Sequence, residues 1–443
     1  MCPDTRAVRG CLDQCRLQNR VRRCAADIVA VCGVDVWALP SSKSHRCVAR
    51  DDQGVVMDFD VNEADERLRS RIQTFLEEKW LPLRGDHKGL AVGREAFALA
   101  AQLLSGTGWL TPAWPADCGG ADLPAAQRYI VEEELVKADF PPRDRIAVEL
   151  AGPAICKFGS AEQKRRYLPR IIAGDDVWCQ GFSEPNSGSD INSLRCTATR
   201  LDDHYVVEGL KIWISNAHFA DMMFTLVRTA EPGKSPRGLT LLLIDLKAPG
   251  IRIRPIMTID AGHHFNEVTL DKVRVPVSNV VGEPGLGWHN ARFILSNERI
   301  LLSQAPQTRR RVDCLKRNAS RSDALGRHLD RELAQLDVDL CALEFAVLRV
   351  LQTAEGDALT DGLICALKLR GSQLRQRVGE LEMEALGHRA LADAVPPEHI
   401  DRSPNRIERR PPAHEFLFDR AASIAGGTSE IQRNLIAAVA LDL

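Results

Sequence analysis

Long apolar runs are missing from this sequence: the longest, such as Leu239 to Ile244, are far shorter than the roughly 20 residues a helix needs to cross a bilayer. An excess of one charge is missing too. Lys and Arg number 58 against 60 Asp and Glu, a formal net charge of −2, which gives no bulk attraction to nucleic acid or to anionic membrane. Aromatics are scarce, at 5% beside 44% hydrophobic and 27% charged residues, the balance of an ordinary soluble globular protein. The thirteen cysteines form no Cys-x-x-Cys clusters, so a structural zinc site is not indicated, and no secretory signal precedes them. His263 and His264 are adjacent rather than at ligand spacing, which leaves metal chemistry unsupported.

The cysteines are unevenly spread. Six (Cys2, Cys11, Cys15, Cys24, Cys32 and Cys47) fall within residues 1–56. The other seven read as buried apolar thiols in a reducing compartment, which makes a cytoplasmic address the expectation. Residues 1–56 carry nine Lys and Arg against six Asp and Glu, and Asp4, Asp13, Asp27 and Asp35 argue against a transit peptide. With Met57 standing before a helical pattern, residues 1–56 are expected to be a poorly structured appendage.

At 443 residues the chain exceeds the ~250–300 residues of a single core, so two or three units follow. A helical unit is expected over 57–176. Leu68, Ile72, Phe75 and Leu76 share one face after Asn62, a candidate N-cap. Further helices are expected at Arg94–Leu104, Pro124–Lys137 and Ala161–Ile172. Over 177–288 the period changes: His204–Val207, Met222–Arg228, Leu239–Asp245, Gly250–Ile253 and Glu267–Val275 are short, β-branched or alternating, with Gly, Pro and Asp between them. Helical spacing returns over 289–443. Leu333, Leu336, Leu340, Leu343, Val347 and Val350 make one bundle seam, and Leu367, Leu374, Val378, Leu381 and Ala385 another. A Pro-rich, charged loop from Val395 to Pro412 leads to a last helix near Ser429. The fold class is α+β: a helical N-terminal domain, a central β-barrel or sandwich, and a C-terminal four-helix bundle.

Three segments carry the chemistry. Gly181-Phe-Ser-Glu-Pro-Asn-Ser-Gly-Ser-Asp190 lies where helices give way to strands, and its glycines and hydroxyls let backbone N–H groups approach a polar, anionic ligand. Lys211-Ile-Trp-Ile-Ser-Asn216 places a flat ring and a hydroxyl on the same side of a regular strand. The third is Gly426-Gly-Thr-Ser-Glu-Ile-Gln-Arg433. Alone, each is as compatible with loop or core as with a site.

Together, in this order and spacing, they resemble the acyl-CoA dehydrogenase family over residues 57–443. Trp114-Pro-Ala-Asp-Cys-Gly-Gly120, Gly159-Ser-Ala-Glu-Gln-Lys164 and Phe265-Asn-Glu-Val through Val275-Pro276 add to the resemblance. It implies FAD as cofactor, with Gln180, Phe182 and Ser183 along the flavin ring, Trp213 and Ser215 over its other side, and Thr428 and Glu430 near its phosphate or ribityl groups. It also implies that Ser189 contacts the CoA portion of an acyl-CoA substrate. Lys368-Leu-Arg-Gly-Ser372 and Glu384-Ala-Leu-Gly387 are similar to bacterial dehydrogenases for dicarboxylic or steroid side-chain acyl-CoAs.

The sequence departs from a common family pattern at the base. Many relatives hold a glutamate where this chain has Gly426, after an aromatic where it has Ala425. Other branches carry it on the first helix of the C-terminal domain, and there Phe293-Ile-Leu-Ser-Asn-Glu-Arg299 offers Glu298; the alternative for Glu298 is a helix-surface acid paired with a neighbour. Arg299 matches a position near substrate and CoA. The Arg-x-x-Phe-Gly segment by which many relatives reach a neighbour's FAD is absent, and Arg309-Arg-Arg311 with Lys316-Arg317 reads as a solvated basic face. The resemblance implies α,β-dehydrogenation with Glu298 as base, electrons passed to an electron-transferring flavoprotein, and a homo-oligomer or a hetero-tetramer with a related dehydrogenase subunit. A catalytically silent partner subunit and an oxygen-using oxidase or monooxygenase on the same fold stay open.

Overall fold

Leu68, Ile72 and Leu76 recur every four residues and are buried together, which holds the helix Glu63–Phe75 and the wider turn Leu76–Trp80 against the rest of the N-terminal unit. The computed structural model describes residues 48–50, 56–58, 63–85, 92–229, 238–298, 303–318, 324–352, 358–392 and 412–440. Asn62 therefore lies outside the described residues. Helices follow at Arg94–Leu104, Ala125–Lys137 and Ala161–Ala173, within a residue or so of expectation. A wide turn at Ile146–Ala151 continuing into the helix Gly152–Phe158 was not anticipated.

Two local devices shape this unit. The Ser160 hydroxyl accepts from the Gln163 N–H (3.2 Å) while the Gln163 side chain accepts from the Ser160 N–H (3.0 Å), a reciprocal cap. The Gln163 amide then donates to the Ser278 and Val280 carbonyls, both at 2.7 Å, and so reaches into the sheet unit. Trp114 is buried, its indole N–H donating to the Val148 carbonyl at 2.7 Å. Gly152 makes room for that ring, because a Cβ there would stand 1.8 Å from Trp114 Cζ2.

Ten strands are described. A hairpin pairs β1 (Val48–Arg50) with β2 (Val56–Asp58). The second sheet comprises β3 (Trp178–Gly181), β4 (Thr197–Leu201), β5 (His204–Ser215), β6 (Met222–Arg228), β7 (Leu239–Asp245), β8 (Ile251–Met257), β9 (His263–Pro276) and β10 (Val280–Val281). Its order is β10-β7-β6-β4-β5-β9-β8, with β3 parallel to β6. The hairpin corrects one expected boundary: Met57 falls inside β2, so residues before Met57 share a ladder with residues after it. The remainder of 1–56 lies outside the described residues.

Strand alternation divides the apolar residues between two cores. Phe224, Leu226, Leu241 and Leu243 face the helical unit and join its core with Trp178 and Phe182. Met223, Val227, Leu242 and Ile244 face the other way and pack with Val207, Ile214, Val268 and Val273 of β5 and β9. The sheet therefore curls over its own core, the barrel-like arrangement expected. Five of the cysteines are buried (Cys118, Cys156, Cys179, Cys196 and Cys365), with Cys314 and Cys341 half-buried.

The C-terminal unit comprises helices Gly287–Glu298, Ala305–Asn318, Ala324–Gln352, Ala358–Leu386, Arg389–Ala392, Pro412–Phe418 and Ser429–Ala440. Both expected seams are in its core, Ala385 being partly buried. Pro412 opens a helix rather than ending a loop; the Val395–Pro412 segment before it lies outside the described residues. The basic run is not a solvated face. Arg309 bonds Glu344 and Asp337, Arg310 bonds Asp139 of the N-terminal unit, and Arg311 bonds Glu382 and Asp419. Among the described residues no helix is long and apolar enough to cross a membrane.

Asp144 joins the first two units. Buried, it accepts from the backbone N–H groups of Ala147 (3.1 Å) and of Trp178 in β3 (2.9 Å). Burial pushes its carboxyl up to about 7, against the opposing pull of those N–H donors. The unfolded chain releases this proton near pH 4, so the group's contribution is complete below about 4 and is lost as pH rises through about 7. Melting temperature should therefore fall as pH rises from about 4 to about 7. Asp144→Asn should lower the profile and flatten that slope; an unchanged slope would refute the assignment.

Candidate active site

The loop after β3 and the strand β5 are fastened by one buried ion pair. Lys211 is fully buried and Glu184 is 7% exposed; the Lys211 ammonium donates to the Glu184 carboxylate at 2.9 Å and to the Leu226 carbonyl at 2.7 Å. Glu184 accepts further from the backbone N–H groups of Arg195 (2.6 Å) and Cys196 (2.9 Å). Desolvating two charges is tolerable only when each is this well bonded. Next to the pair, the Ile212 N–H donates to the Ser183 carbonyl at 3.0 Å. The first motif is thus held along the second.

That bond is available because β5 leaves its ladder there. Lys211 pairs with Val268 and Ile214 with Asn266, so two residues of β5 oppose one of β9, a bulge. Trp213 sits in it with φ of +63° and its side chain 54% exposed. A left-handed backbone is rare for a bulky residue, and an exposed indole beside a tightly bonded loop is unusual. The bulge also breaks the alternation that would have aligned Trp213 with Ser215, which is half-buried and pairs with Phe265. Beyond the bulge, the buried Asn266 amide donates to the Ile214 carbonyl at 3.0 Å and so pins the strand again.

The third motif reaches the same place through aromatic rings. The Trp213 ring meets Phe265 edge-on at 5.9 Å. Phe265 stacks with Phe418 at 6.3 Å, and His264 meets Phe418 at 4.7 Å. Phe418 ends the helix Pro412–Phe418 and is followed by the turn Asp419–Ser423, which leads to Gly426. Asp419 is fully buried between Arg311 and Arg375, and the Arg375 guanidinium lies 5.8 Å from the Phe418 ring. Gly426 and Gly427 hold φ of +68° and +94°, and the Thr428 hydroxyl accepts from the Ile431 N–H at 3.2 Å, starting the last helix.

The other expected residues are placed as follows. Gln180 is half-buried in β3, paired with Phe224. Phe182 is buried, its ring edge-on to Phe224 at 5.6 Å, so it contributes to the core. Ser183 is half-buried and Ser189 exposed. Glu430 is exposed and lies 3.7 Å from Arg433. Glu298 is the last residue of the helix Gly287–Glu298; its side chain, and all of Arg299, lie outside the described residues. Reading the sequence missed the Lys211–Glu184 pair, although both residues stand in the quoted motifs, and it missed Phe418, for which the sequence carries no signal. His263 has an internal partner in Asn266 (2.7 Å) and His264 in Asp260 (2.7 Å). No cluster able to hold a metal occurs among the described residues.

Comparison with known proteins covers all three units. Residues 62–175, 179–273 and 285–441 match the N-terminal, middle and C-terminal domains of acyl-CoA dehydrogenase. The chain is 35% identical over 389 residues to acyl-CoA dehydrogenase IpdE1 of Mycobacterium tuberculosis (strain ATCC 25618 / H37Rv), covering 85% of this chain and 97% of that protein. Among solved structures it resembles the Tcur3481-Tcur3483 steroid ACAD with a TM-score of 0.73 and 27% identity, over 87% of this chain and 99% of that one. The ChsE4-ChsE5 complex from Mycobacterium tuberculosis follows with a TM-score of 0.72 and 28% identity, over 87% and 99%.

Removing one partner of the buried pair should strand the other. Glu184→Gln leaves the Lys211 ammonium without a counter-charge, at an expected cost of about 3–5 kcal/mol in chemical denaturation. Adding Lys211→Met to that variant should recover part of the loss. A single variant as stable as the parent would show that the pair does not hold the two motifs together.

Proposed function

Because the chain belongs to the acyl-CoA dehydrogenase family, an oxidoreductase family, we propose that it binds FAD and removes the Cα and Cβ hydrogens of an acyl-CoA thioester. The observation that carries this reading is the half-exposed indole of Trp213, presented on a left-handed bulge residue beside the Ser183 loop. A flat apolar surface bordered by hydroxyls at Ser183 and Ser215 and a ring at Phe265 fits a flat heteroaromatic group. Gln180 and Ser183 would border the ring on one side and Trp213 and Ser215 on the other. Phe182 supports from behind through Phe224. Thr428 would serve the ribityl or phosphate portion. The Glu430 carboxylate, next to Arg433, is the weaker candidate, since two anions repel.

Bound FAD would supply the acceptor for the Cβ hydride. The chain's own part is the proton. Glu298, at the C-terminal end of the helix Gly287–Glu298, takes it from Cα, a task for a carboxylate held away from bulk water. Gly426 has no side chain for that role and keeps a left-handed backbone, which supports assigning the base to Glu298. Arg299 and Ser189 would serve the CoA portion. Electrons would leave to an electron-transferring flavoprotein. Assembly with a second, related chain accords with the two-component neighbours, Tcur3481-Tcur3483 and ChsE4-ChsE5.

Exposure of Trp213 gives a specific expectation. Trp213→Ala removes a half-exposed indole, so stability measured without flavin should change by no more than about 0.5 kcal/mol. Flavin affinity should fall nonetheless, measured by equilibrium dialysis or flavin fluorescence. Lost stability with unchanged flavin affinity would make Trp213 a structural residue.

Glu298→Gln tests the base. Flavin and acyl-CoA should still bind while substrate-driven bleaching of the flavin slows about 10²–10⁴-fold. Bleaching at the parental rate would make Glu298 a surface acid. No bleaching by the unmodified chain, alone or with a partner whose own site is blocked, would identify a silent subunit.

A further inference from the structure

Among the described residues two lysines are buried, and they are bonded differently. Lys211 has the Glu184 carboxylate. Lys368, only 2% exposed, donates to two carbonyls, Gly427 at 2.6 Å and Ala422 at 3.1 Å. Among the described residues no carboxylate pairs with it. Glu430, the acid whose field reaches it, is exposed and turned to Arg433.

Charges around Lys368 do not compensate for this. Arg375 and Arg311 are matched by Asp419 and Glu382, which leaves the Lys368 ammonium in surplus. Desolvation lowers its pKa, the ordinary response of an ammonium that burial has deprived of water. A buried cation satisfied only by neutral carbonyls is unfavourable compared with the same cation beside an anion.

Lys368 also borders a cavity of about 70 Å³ with Gln304, Ser372, Arg375 and Ala425 among its walls. By the same measure a single water needs about 10–15 Å³. The cavity therefore has room for a carboxylate, but not for a nucleotide. An ammonium has three N–H donors, and two of those on Lys368 go to the carbonyls. The single O–H of Ser372 is directed to the backbone, its oxygen lying 2.9 Å from both the Lys368 and the Ala422 carbonyls. Arg375, paired with Asp419, also lines the cavity.

We propose that this cavity is a carboxylate-binding site in which the third N–H of Lys368 is the principal donor. The carboxylate comes either from a free small acid or from the far end of a bound acyl chain; only the second source rests on the dehydrogenase reading. The site lies beside Ala425, one residue from Gly426.

Two measurements on the full chain decide the matter. Acetate and propionate should raise the melting temperature of the unmodified protein and leave Lys368→Met unmoved; equal shifts in both, or none in either, would overturn the proposal. For the source, dissociation constants are compared for two CoA thioesters of matched length, one ending in methyl and one in carboxylate. If the acyl chain supplies the anion, Lys368→Met changes their ratio about 10–100-fold against the carboxylate-ended thioester. An unchanged ratio with the acetate effect intact assigns the site to free acids. Should Lys368→Met not fold, Ala425→Leu fills the cavity from another wall with Lys368 in place, and the same outcomes apply. If neither thioester perturbs the flavin of the unmodified protein, the dehydrogenase reading fails while the acetate measurement still decides the cavity.

Discussion

Lys211 carries its ammonium to a place with no access to water, and the rest of the site is arranged around keeping it there. Three acceptors meet it: the Glu184 carboxylate and the carbonyls of Leu226 and Phe182; beside it, the Ile212 N–H donates to the loop carbonyl of Ser183. The Phe182 contact, at 3.4 Å, is the long one. Because Glu184 also accepts from Arg195 and Cys196, the loop between β3 and β4 cannot move without exposing two opposite charges to each other's absence. Such a pair adds little net stability over an apolar substitute. Its effect is geometric: two segments 27 residues apart share one register.

The register creates the bulge, and the bulge creates the exposed ring. With Ile212 bonded to the loop rather than to β9, the next residue must take a left-handed backbone for Ile214 to rejoin the ladder. Burial elsewhere makes up for that strain, since Asn266 and Ile214 are both nearly inaccessible. The indole then meets Phe265, which meets Phe418, and Asp419 with its two arginines sets where Phe418 stands. The N-terminal unit contributes through Asp144 and Gln163, which bond to β3 and to the segment before β10. All three units thus fix one surface.

Helix and strand positions were legible because their evidence is local and periodic. Arg94–Leu104, Met222–Arg228 and Leu239–Asp245 were read to the residue, and both bundle seams were correct. What escaped depends on partners remote in sequence. A period of two cannot reveal that β5 skips a position opposite β9, so Trp213 read as the outward partner of Ser215 on a regular strand. The run Arg309-Arg-Arg311 read as solvated because its five carboxylate partners, Asp139, Asp337, Glu344, Glu382 and Asp419, are scattered over the chain. The site residues themselves came from the family resemblance; composition and periodicity alone would have left them as loop and core.

The two glycines of the last motif show why the base cannot simply be restored at its common place. Gly426 and Gly427 both hold left-handed backbone, and a Cβ on Gly427 would stand 2.5 Å from the Gln432 amide, so that glycine is required by packing as well as by φ. The Gln432 amide also donates to the Gly426 carbonyl at 3.2 Å, and Lys368 to that of Gly427. The turn is therefore held by the carbonyls of Gly426 and Gly427, each of which meets a side-chain donor. A side chain added at Gly426 would have to leave a left-handed residue whose carbonyl is already committed, with its direction set by that constraint. The end of the helix Gly287–Glu298, where the base is proposed, is under no such left-handed constraint. A base on the helix, as proposed, would be separate from the turn, which is shaped by Lys368 and the cavity beside it.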